Sequence, residues 1–431
     1  MKKSVRIPAA VLLIVIVLVT SSCDRLTALF MQDLYSNIDD AQTNGTGILV
    51  AGAFASVNGT VQGNLARVDS TGQLVGGFSP LVVGGTVNTV ALVERSGETV
   101  ALFGGAFTEV NGQVVPGLAI VDLNGDLVTA FAPDLDPVGG TTEILKVLPT
   151  GSGTVLVAGE FGGVGGNGDY AYLAELNLSN GSAVSSFTPS PDGVVRDLVT
   201  GLDDETLPDR YIVVGSFSQI GGVPSRYAAA IGTDGSTKTV LESIDPSANL
   251  GTIAVSRRND RYLVGGIVSP TIPDFYTSVT EGAGLLSTGE YGIVFVAETE
   301  LPQPDGEVFA LSAIDAGGYL VGGSFTVVRT PSGSERQSYY LFAVDEYGSL
   351  RSSFIPTLDG VVAAIQPAGT NVYVAGSFTT FSTFGDPELV TTHVARLQEN
   401  LTPDPSFLVV LDAAAGTTPI VRDMAMIADF E

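Results

Sequence analysis

One short apolar strand that ends in Gly-x-Phe recurs along this chain, and its recurrence constrains the fold more than any other feature. It is plainest near the C-terminus as VYVAGSF, Val372 to Phe378. Consecutive copies lie 53, 54, 56, 51, 57 and 53 residues apart, counted between their glycines. The repeated glycines are Gly52, Gly105, Gly159, Gly215, Gly266, Gly323 and Gly376. A regular period of this length indicates one structural unit that is used seven times.

Each repeat contains four strand-like segments, which in the second repeat are 87–93, 99–107, 117–123 and 126–131. Polar turns such as DLNGD join the third segment to the fourth, and their glycine supplies the positive φ that a tight hairpin requires. Four-stranded units of this size bury their faces only against neighbouring units around an axis. We therefore predict an all-β fold, a seven-bladed β-propeller over residues 47–431.

The two ends of the chain predict how the ring closes. The first copy begins at its second strand, 47–54, with no first strand before it. The chain ends in IVRDMAMI, 420–427, which has the pattern of a first strand and no second strand after it. We predict that this C-terminal strand pairs with the N-terminal blade, which leaves the ring without a free sheet edge.

Further residues of the repeat carry a family resemblance. The strand continues as G-[GS]-F, then a loop such as Val57-Asn58-Gly59, then A-R-[VL]-[DN] and F-x-P. This pattern resembles the delta-60 repeat family of bacterial β-propellers over residues 47–431. Repeat 4 departs from it at 231–234, and repeat 5 lacks the Phe and carries PTIPDFYTS. The resemblance implies a propeller with a surface or periplasmic setting, and it implies no reaction.

The N-terminus has the pattern of a secretory signal. Lys2, Lys3 and Arg6 precede an apolar run, 9–19, and Thr20-Ser21-Ser22-Cys23 follows it. The cysteine, the only one in the chain, lies where the lipid-attachment Cys of a bacterial lipoprotein would lie. We predict a lipoprotein signal peptide at 1–22, an acylated Cys23, and a lipidated tether at 23–46 with at most one short helix near Leu29. Ordinary cleavage that leaves a free thiol, or an uncleaved anchor, are the alternatives.

Composition narrows the partners and the chemistry. With 46 acidic and 19 basic residues the formal charge is -27, so nucleic acid and anionic lipid headgroups are repelled. We expect a monomer in the bacterial cell envelope, periplasmic or on the outer-membrane surface, that touches the membrane only through its N-terminal lipid. One histidine and one cysteine exclude the usual transition-metal sites and imidazole-based nucleophiles. We predict no catalytic residue, and we expect the histidine, His393, to face solvent.

A recurring acid precedes the first strand of most repeats, three times as Asp-Gly. By ring symmetry these acids would surround the mouth of the central channel as an acidic collar, which could bind Ca²⁺ or a cationic ligand through carboxylate oxygens. The alternative is turn chemistry that repeats because the turn repeats. The candidates are Asp136, Asp192, Asp245, Asp305 and Asp359.

The loops after the Gly-x-Phe strand carry aromatic residues in repeats 3 to 7 and none in repeats 1 and 2. Exposed aromatics on a rigid scaffold are typical of a binding face. The alternative is that the rings fill space between blades or begin a third strand. The candidate ligand-binding residues of this aromatic crescent are Tyr170, Tyr227, Phe275, Tyr276, Tyr339 and Phe381.

Together these features predict a cell-envelope lipoprotein whose propeller is a non-catalytic scaffold for an envelope or extracellular protein or a polysaccharide. No cofactor is expected apart from the Ca²⁺ considered for the collar. One alternative is a carboxylate-based polysaccharide hydrolase or lyase, which needs two carboxylates about 5 to 10 Å apart in a pocket. The other alternative is a purely structural envelope protein.

Overall fold

The computed structural model describes most of the repeat region and one short segment before it. The predicted site residues Cys23, Asp245, Phe275 and Tyr276 lie outside the described residues. The described residues are 27–31, 47–200, 210–225, 227–240, 248–256, 261–268, 283–289, 292–296, 302–314, 317–330, 332–345, 349–383, 389–390, 393–413 and 418–427.

Long, mainly antiparallel sheets follow one another along the described chain, one for each Gly-x-Phe strand, and they are numbered here as sheets 1 to 7. Sheet 1 contains Thr27–Met31, Gly47–Ala53, Leu65–Val68 and Ile420–Ile427. Sheet 2 contains Val87–Arg95, Glu98–Gly105 and Leu118–Val121, and sheet 3 contains Glu143–Pro149, Thr154–Glu160 and Leu173–Asn177. Sheet 4 contains Val195–Thr200, Arg210–Gly215, Ala228–Gly232 and Thr237–Val240.

The remaining long sheets repeat the same order of strands. Sheet 5 contains Ala248–Ser256, Arg261–Val268, Ala283–Gly289 and Gly292–Val296. Sheet 6 contains Val308–Ala313, Tyr319–Gly323 and Leu341–Val344, and sheet 7 contains Val362–Ala368, Asn371–Gly376 and Val394–Leu397. In sheets 1, 2, 3, 6 and 7 the fourth segment is reduced to a single bridge, such as Val121 with Leu127.

The first strands of the sheets form a closed cycle. From sheet 2 to sheet 7, each first strand contacts the first strand of the next sheet. Sheet 7 then contacts Ile420–Ile427, which also contacts the first strand of sheet 2. The C-terminal strand is paired antiparallel with Gly47–Ala53, with Val421 opposite Gly52. The predicted all-β propeller closed by its C-terminal strand is therefore confirmed.

The N-terminal segment differs from the prediction. Thr27–Met31 is a β-strand that pairs with Gly47–Ala53 in sheet 1, so the short helix expected near Leu29 is wrong there. The only helix in the described part of the chain is one 3-10 turn, Gly168–Tyr170. No helix of the described residues has the length and apolar character that a membrane span needs.

The core lies between neighbouring sheets. Val155 and Val157 of sheet 3 pack with Leu102 and Ile120 of sheet 2, while Leu156, on the opposite face of sheet 3, packs toward sheet 4. The Phe that ends the repeated strand is buried in the described copies, as at Phe161 and Phe378. Because both faces of a sheet are covered, its strands read as continuous apolar runs. Burial of this kind makes each core Leu or Ile worth about 2–5 kcal/mol against truncation to Ala.

A small hairpin follows the Gly-x-Phe strand at one rim of the ring and is called the rim hairpin. In most sheets a short strand pairs with this rim hairpin, and that short strand precedes the first strand of the same sheet. The rim strands are Ser56–Val57, Thr60–Val61 and Leu411–Asp412; Val82–Val83, Glu109–Val110 and Gln113–Val114; Leu135–Asp136 and Gly163–Val164; Gln219–Ile220 and Val223–Pro224; Gln303–Pro304, Val327–Arg329 and Glu335–Gln337; and Pro356–Leu358, Thr380–Thr383 and Leu389–Val390.

Candidate functional site

The repeated glycine faces a β-bulge in the first strand of its sheet. In sheet 4, Val195 lies opposite Gly215, and the next paired residue is Asp197, so Arg196 is the extra residue. A Cβ atom on Gly215 would lie 2.1 Å from the carbonyl oxygen of Val194, a distance that no side chain tolerates. The same shift occurs in sheets 2, 3, 5, 6 and 7. The glycine that defines the repeat is therefore required by the bulge.

A bulge re-aims the side chain of its extra residue. These extra residues, called the bulge residues, point into a single cavity of about 150 Å³. Because the cavity is lined by the first strands of six sheets, which form the inner cycle, it lies on the ring axis and is called the axial cavity. Its bulge residues are Asn88, Leu145, Arg196, Phe309, Ala363 and, in the equivalent place of the C-terminal strand, Arg422.

The axial cavity has a charged side and an apolar side. In sheets 1 to 4, 6 and 7 the residue before the bulge is aliphatic and fully buried, as at Val87, Ile144 and Val308. The bulge residue and the one after it vary instead. Sheets 1, 3 and 4 supply Arg422, Asp423, Lys146, Arg196 and Asp197, whereas sheets 6 and 7 supply Phe309, Ala310, Ala363 and Ala364. The fold therefore requires an aliphatic residue before the bulge. It does not constrain the chemical type of the bulge residue or of the residue after it.

The charged side contains a linked set of ionic groups. Lys146 Nζ lies 3.5 Å from Asp197 Oδ1. The attraction of Asp197 raises the pKa of Lys146, burial opposes this, and Asp423 adds to the increase. Asp423 accepts hydrogen bonds from the backbone N–H groups of Val90, at 3.0 Å, and Met424, at 2.9 Å. Lys146 is therefore protonated and paired with Asp197, and the charge of Asp423 adds to this attraction.

Burial governs the protonation of the two acids near these cations. Burial raises the pKa of Asp423, and Lys146 and the backbone donors oppose that increase. Burial also raises the pKa of Glu307, which precedes the bulge of sheet 6, and the positive charge of Arg196 opposes it. For both acids burial outweighs the neighbouring positive charges, so the pKa is raised overall.

In the axial cavity, Arg196 has a hydrogen-bond donor that is not satisfied. Its Nε is buried and has no hydrogen-bond partner. Phe309 faces the same cavity with 37% of its surface exposed, which is unusual for a phenyl ring. The two copies of Val-Arg-Asp, 195–197 and 421–423, fall at the same place in their repeats. That identity is the sequence signal that would have identified the site, and the sequence analysis missed it.

The acids predicted to form a collar hold the rim hairpins instead. Asp192 Oδ1 accepts the backbone N–H groups of Ser218, at 2.7 Å, and Gln219, at 2.9 Å, and Asp192 Oδ2 accepts the Ser218 hydroxyl at 2.5 Å. Asp305 and Asp359 make the same three contacts with the start of their own hairpins. Burial raises the pKa of Asp192, but these hydrogen bonds outweigh it and the pKa is lowered. We call this arrangement the aspartate clip.

Two more acids have related roles. Asp136 accepts the Gly166 N–H at 2.9 Å, and in sheet 1 Asp412 accepts the Ser56 hydroxyl at 2.8 Å. No group of three acidic, His or Cys side chains that could hold a metal ion occurs among the described residues. The contacts match the turn-chemistry alternative. In sequence, the clip can be recognised by an Asp-Gly before the first strand together with Ser or Thr after Gly-x-Phe.

Two residues of the aromatic crescent, Phe381 and Tyr170, are buried in the fold. Phe381 is 0% exposed, and its ring centroid lies 6.2 Å from that of Phe378. Tyr170 is buried in the cluster between sheets 2 and 3. Tyr339 is half-buried. The proposal of exposed rings is thus wrong for Phe381 and Tyr170, because both pack into the core.

Tyr227, also half-buried, occupies a position that the repeat demands. In sheets 1 to 4, 6 and 7 the residue before the third strand has a positive φ, which is 68° at Tyr227 and 77° at His393. At Tyr227 the N–H donates to the Phe217 carbonyl and the carbonyl accepts the Gly215 N–H, and His393 makes the matching pair. His393 is only 3% exposed, so the expectation that it faces solvent is wrong.

The largest exposed apolar side chains at the rim belong to sheet 2. Val114 is 79% exposed and Leu81 is 56% exposed, and with Val83 they occupy one rim hairpin and its partner strand. This group is called the rim patch. Asn111 fixes its backbone, because the Asn111 side chain accepts the Leu81 N–H at 2.8 Å and donates to the Gly125 carbonyl at 2.9 Å. The sequence analysis looked for aromatics and passed over this aliphatic group.

Part of the first repeat matches a known family. Residues 47–74 match the family described as "Domain of unknown function (DUF5122) beta-propeller". Among similar solved structures is the WD40 β-propeller domain of Doa1, with 13% sequence identity, a TM-score of 0.44, and coverage of 82% of this chain and 91% of that one. No curated protein sequence matches the chain.

Proposed function

We propose that this protein is a non-catalytic binding scaffold of the bacterial cell envelope. In this proposal residues 1–22 are a lipoprotein signal peptide, Cys23 carries the lipid, 23–46 are the tether, and 47–431 form a seven-bladed propeller of delta-60-like repeats. The seven long sheets of the described residues support the blade count. Mass spectrometry of the mature N-terminus tests the anchor: we expect an acylated Cys23, and an unmodified N-terminus would contradict it.

The observation that carries the binding function is the rim patch. Leu81, Val83 and Val114 expose aliphatic surface on a hairpin whose backbone is held by Asn111 and by the sheet behind it. Exposed apolar side chains that cluster on a fixed backbone mark interaction surfaces. A rigid surface loses little conformational entropy on binding, so such a patch suits association with a partner.

The chemistry of the patch favours a protein partner over a polysaccharide. Sugar rings are bound by stacking on aromatic faces, and the rim patch has only aliphatic side chains. Glu109 lies in the same hairpin, and the chain as a whole has a formal charge of -27. We therefore expect an envelope or extracellular protein with an apolar patch that is bordered by basic residues.

The hydrolase or lyase alternative needs two available carboxylates in one pocket. Asp197 and Asp423 share the axial cavity, but Lys146 pairs with Asp197 and backbone donors occupy Asp423. Two carboxylates that are engaged in this way serve an ionic network better than they serve acid–base catalysis. The scaffold is accordingly the preferred function.

Affinity capture from envelope extract tests the scaffold. The mature chain with Cys23→Ser is the bait, and captured proteins are quantified by mass spectrometry. We expect one or a few proteins that are lost from a Leu81→Glu, Val114→Glu double variant and kept by Val223→Glu, a matched change on the rim hairpin of sheet 4. With the purified partner, the double variant should lower affinity by at least about tenfold. Identical capture by all three baits would contradict the rim patch as the binding surface.

A further inference from the structure

The axial cavity combines features that point to a ligand and that folding does not require. The residue before each bulge repeats as a buried aliphatic, whereas the bulge residue changes from Asn88 to Arg196 to Phe309. Features that all repeats share are explained by the fold, and features confined to some repeats need another reason. The chain has only 19 lysines and arginines, yet three of them, Lys146, Arg196 and Arg422, line this one cavity.

The charges of the cavity favour a single negative charge. Among the described residues of its lining, three cations stand beside two acids, Asp197 and Asp423, which gives a net charge of +1. Lys146 is committed to the acids, and Glu307 lies near Arg196 just outside the lining. A dianion such as phosphate would exceed the positive charge that remains. A monoanion would match it.

The donors favour a carboxylate. Arg196 has a buried Nε without a hydrogen-bond partner, and a buried donor that is left unsatisfied is unfavourable. A guanidinium fork matches a carboxylate with two parallel hydrogen bonds, and the contact strengthens where water is excluded. Arg422, the bulge residue of sheet 1, adds a second positive charge to the lining.

The apolar side and the volume define the rest of the molecule. Phe309, Ala310 and Ala363, from sheets 6 and 7, form an apolar part of the lining, so the ligand has an apolar portion. The cavity volume of about 150 Å³ equals that of an engineered protein cavity that accommodates benzene, a molecule of six heavy atoms. A short-chain aliphatic acid has this size and shape.

We propose that the axial cavity is a binding site for a small aliphatic monocarboxylate, whose carboxylate meets the guanidinium of Arg196 in the field of Arg422 and whose carbon chain lies against Phe309. The site is separate from the rim patch and goes beyond the proposed scaffold function. It gives the ring a second, small-molecule ligand that is bound from the first strands rather than from the rim hairpins.

Calorimetric titration of the mature chain with Cys23→Ser tests this proposal, with sodium butanoate as the probe. Butanamide is the neutral isostere, and inorganic phosphate is the competing anion. We expect butanoate to bind, butanamide and phosphate not to bind, and Phe309→Ala to weaken butanoate more than acetate. Arg196→Gln should weaken butanoate by at least about tenfold, because it removes a charge-assisted contact.

Controls keep the outcomes distinct. Arg329→Gln removes an arginine from an exposed ion pair at the rim and should leave butanoate binding unchanged. Arg422→Gln provides a second cavity variant, and the melting temperature confirms that each variant is folded. Absence of butanoate binding, equal binding of butanamide, preference for phosphate, or full binding by both folded arginine variants would overturn the proposal. Capture of a partner through the rim patch should be unaffected by Arg196→Gln. A failure of the axial-cavity proposal can therefore be distinguished from a failure of the scaffold proposal.

Discussion

The rim hairpins and the axial cavity are built from neighbouring residues of the same repeats, yet they use polar groups in opposite ways. At the rim, the acids repeat, and each is occupied by the hairpin of its own sheet, as Asp192 is by Ser218 and Gln219. In the axial cavity the polar residues are confined to some of the sheets, with Arg-Asp after the buried valine in sheets 1 and 4, and the Nε of Arg196 has no hydrogen-bond partner. Repetition therefore marks residues that serve folding, and variation marks residues that are free to serve binding.

The largest effect should come from opening the ring. Deletion of residues 418–431 removes the strand that pairs with Gly47–Ala53, so two apolar sheet edges become exposed and the protein should be insoluble. Solubility and circular dichroism after expression measure this. Deletion of 428–431 alone, which leaves the paired strand intact, is the control. A soluble, folded product from the longer deletion would contradict closure of the ring.

The repeated glycine should give the next largest effect. A Cβ atom at Gly376 would lie 1.9 Å from the Val361 carbonyl oxygen, so Gly376→Ala must displace the bulge and should cost about 3 kcal/mol. Gly63→Ala is the matched control, because its nearest neighbour would be 3.7 Å away. Urea unfolding compares the two. Equal stability of both variants would show that the bulge adapts to a side chain.

The aspartate clip should give a smaller, pH-dependent effect. Asp359→Asn removes a carboxylate that accepts three hydrogen bonds and should cost about 1–2 kcal/mol at neutral pH. Burial raises the pKa of Asp359, but the bonds from Thr379 and Thr380 outweigh it and lower the pKa below 3.8. The stabilisation is therefore complete above the ordinary pKa and is lost as the pH falls through the lowered value.

Urea unfolding of wild type and Asp359→Asn at a series of pH values measures this dependence. The difference between them should be constant from about pH 7 to pH 5 and should shrink below about pH 4. Glu335→Gln, in an exposed ion pair with Arg329, is the control and should cost less than about 1 kcal/mol at any pH. A difference that grows toward low pH would contradict the clip.

These contrasts also explain how far the sequence could be interpreted. The fold follows from features that repeat: the Gly-x-Phe strand, the hairpin turns, and the half-blades at the two ends. The expected exposure was wrong for Phe381 and Tyr170, because a side chain's exposure depends on neighbours that the repeat pattern does not reveal. Phe381 packs edge-to-face against Phe378, and Tyr227 is held by a positive-φ position before its third strand.

The axial cavity was missed for the opposite reason. Its residues come from sheets far apart in sequence, and only the bulge brings Arg196, Phe309 and Arg422 to one place. A strand pattern with a period of two residues assigns each side chain to a face, and an extra residue in the strand breaks that assignment. The repeated Val-Arg-Asp is visible in the sequence, but the sequence does not show that its side chains face the ring axis.

The measurement that tests the central claim most directly is a paired comparison of Val87→Ala and Arg196→Gln, each assayed for melting temperature and for butanoate binding. Val87 is a repeated, fully buried residue before a bulge, and its truncation should cost about 2 kcal/mol and leave binding intact. Arg196→Gln should leave the melting temperature nearly unchanged and remove most of the binding. If Arg196→Gln instead unfolds the ring while Val87→Ala abolishes binding, the division between repeated residues that fold and variable residues that bind is wrong.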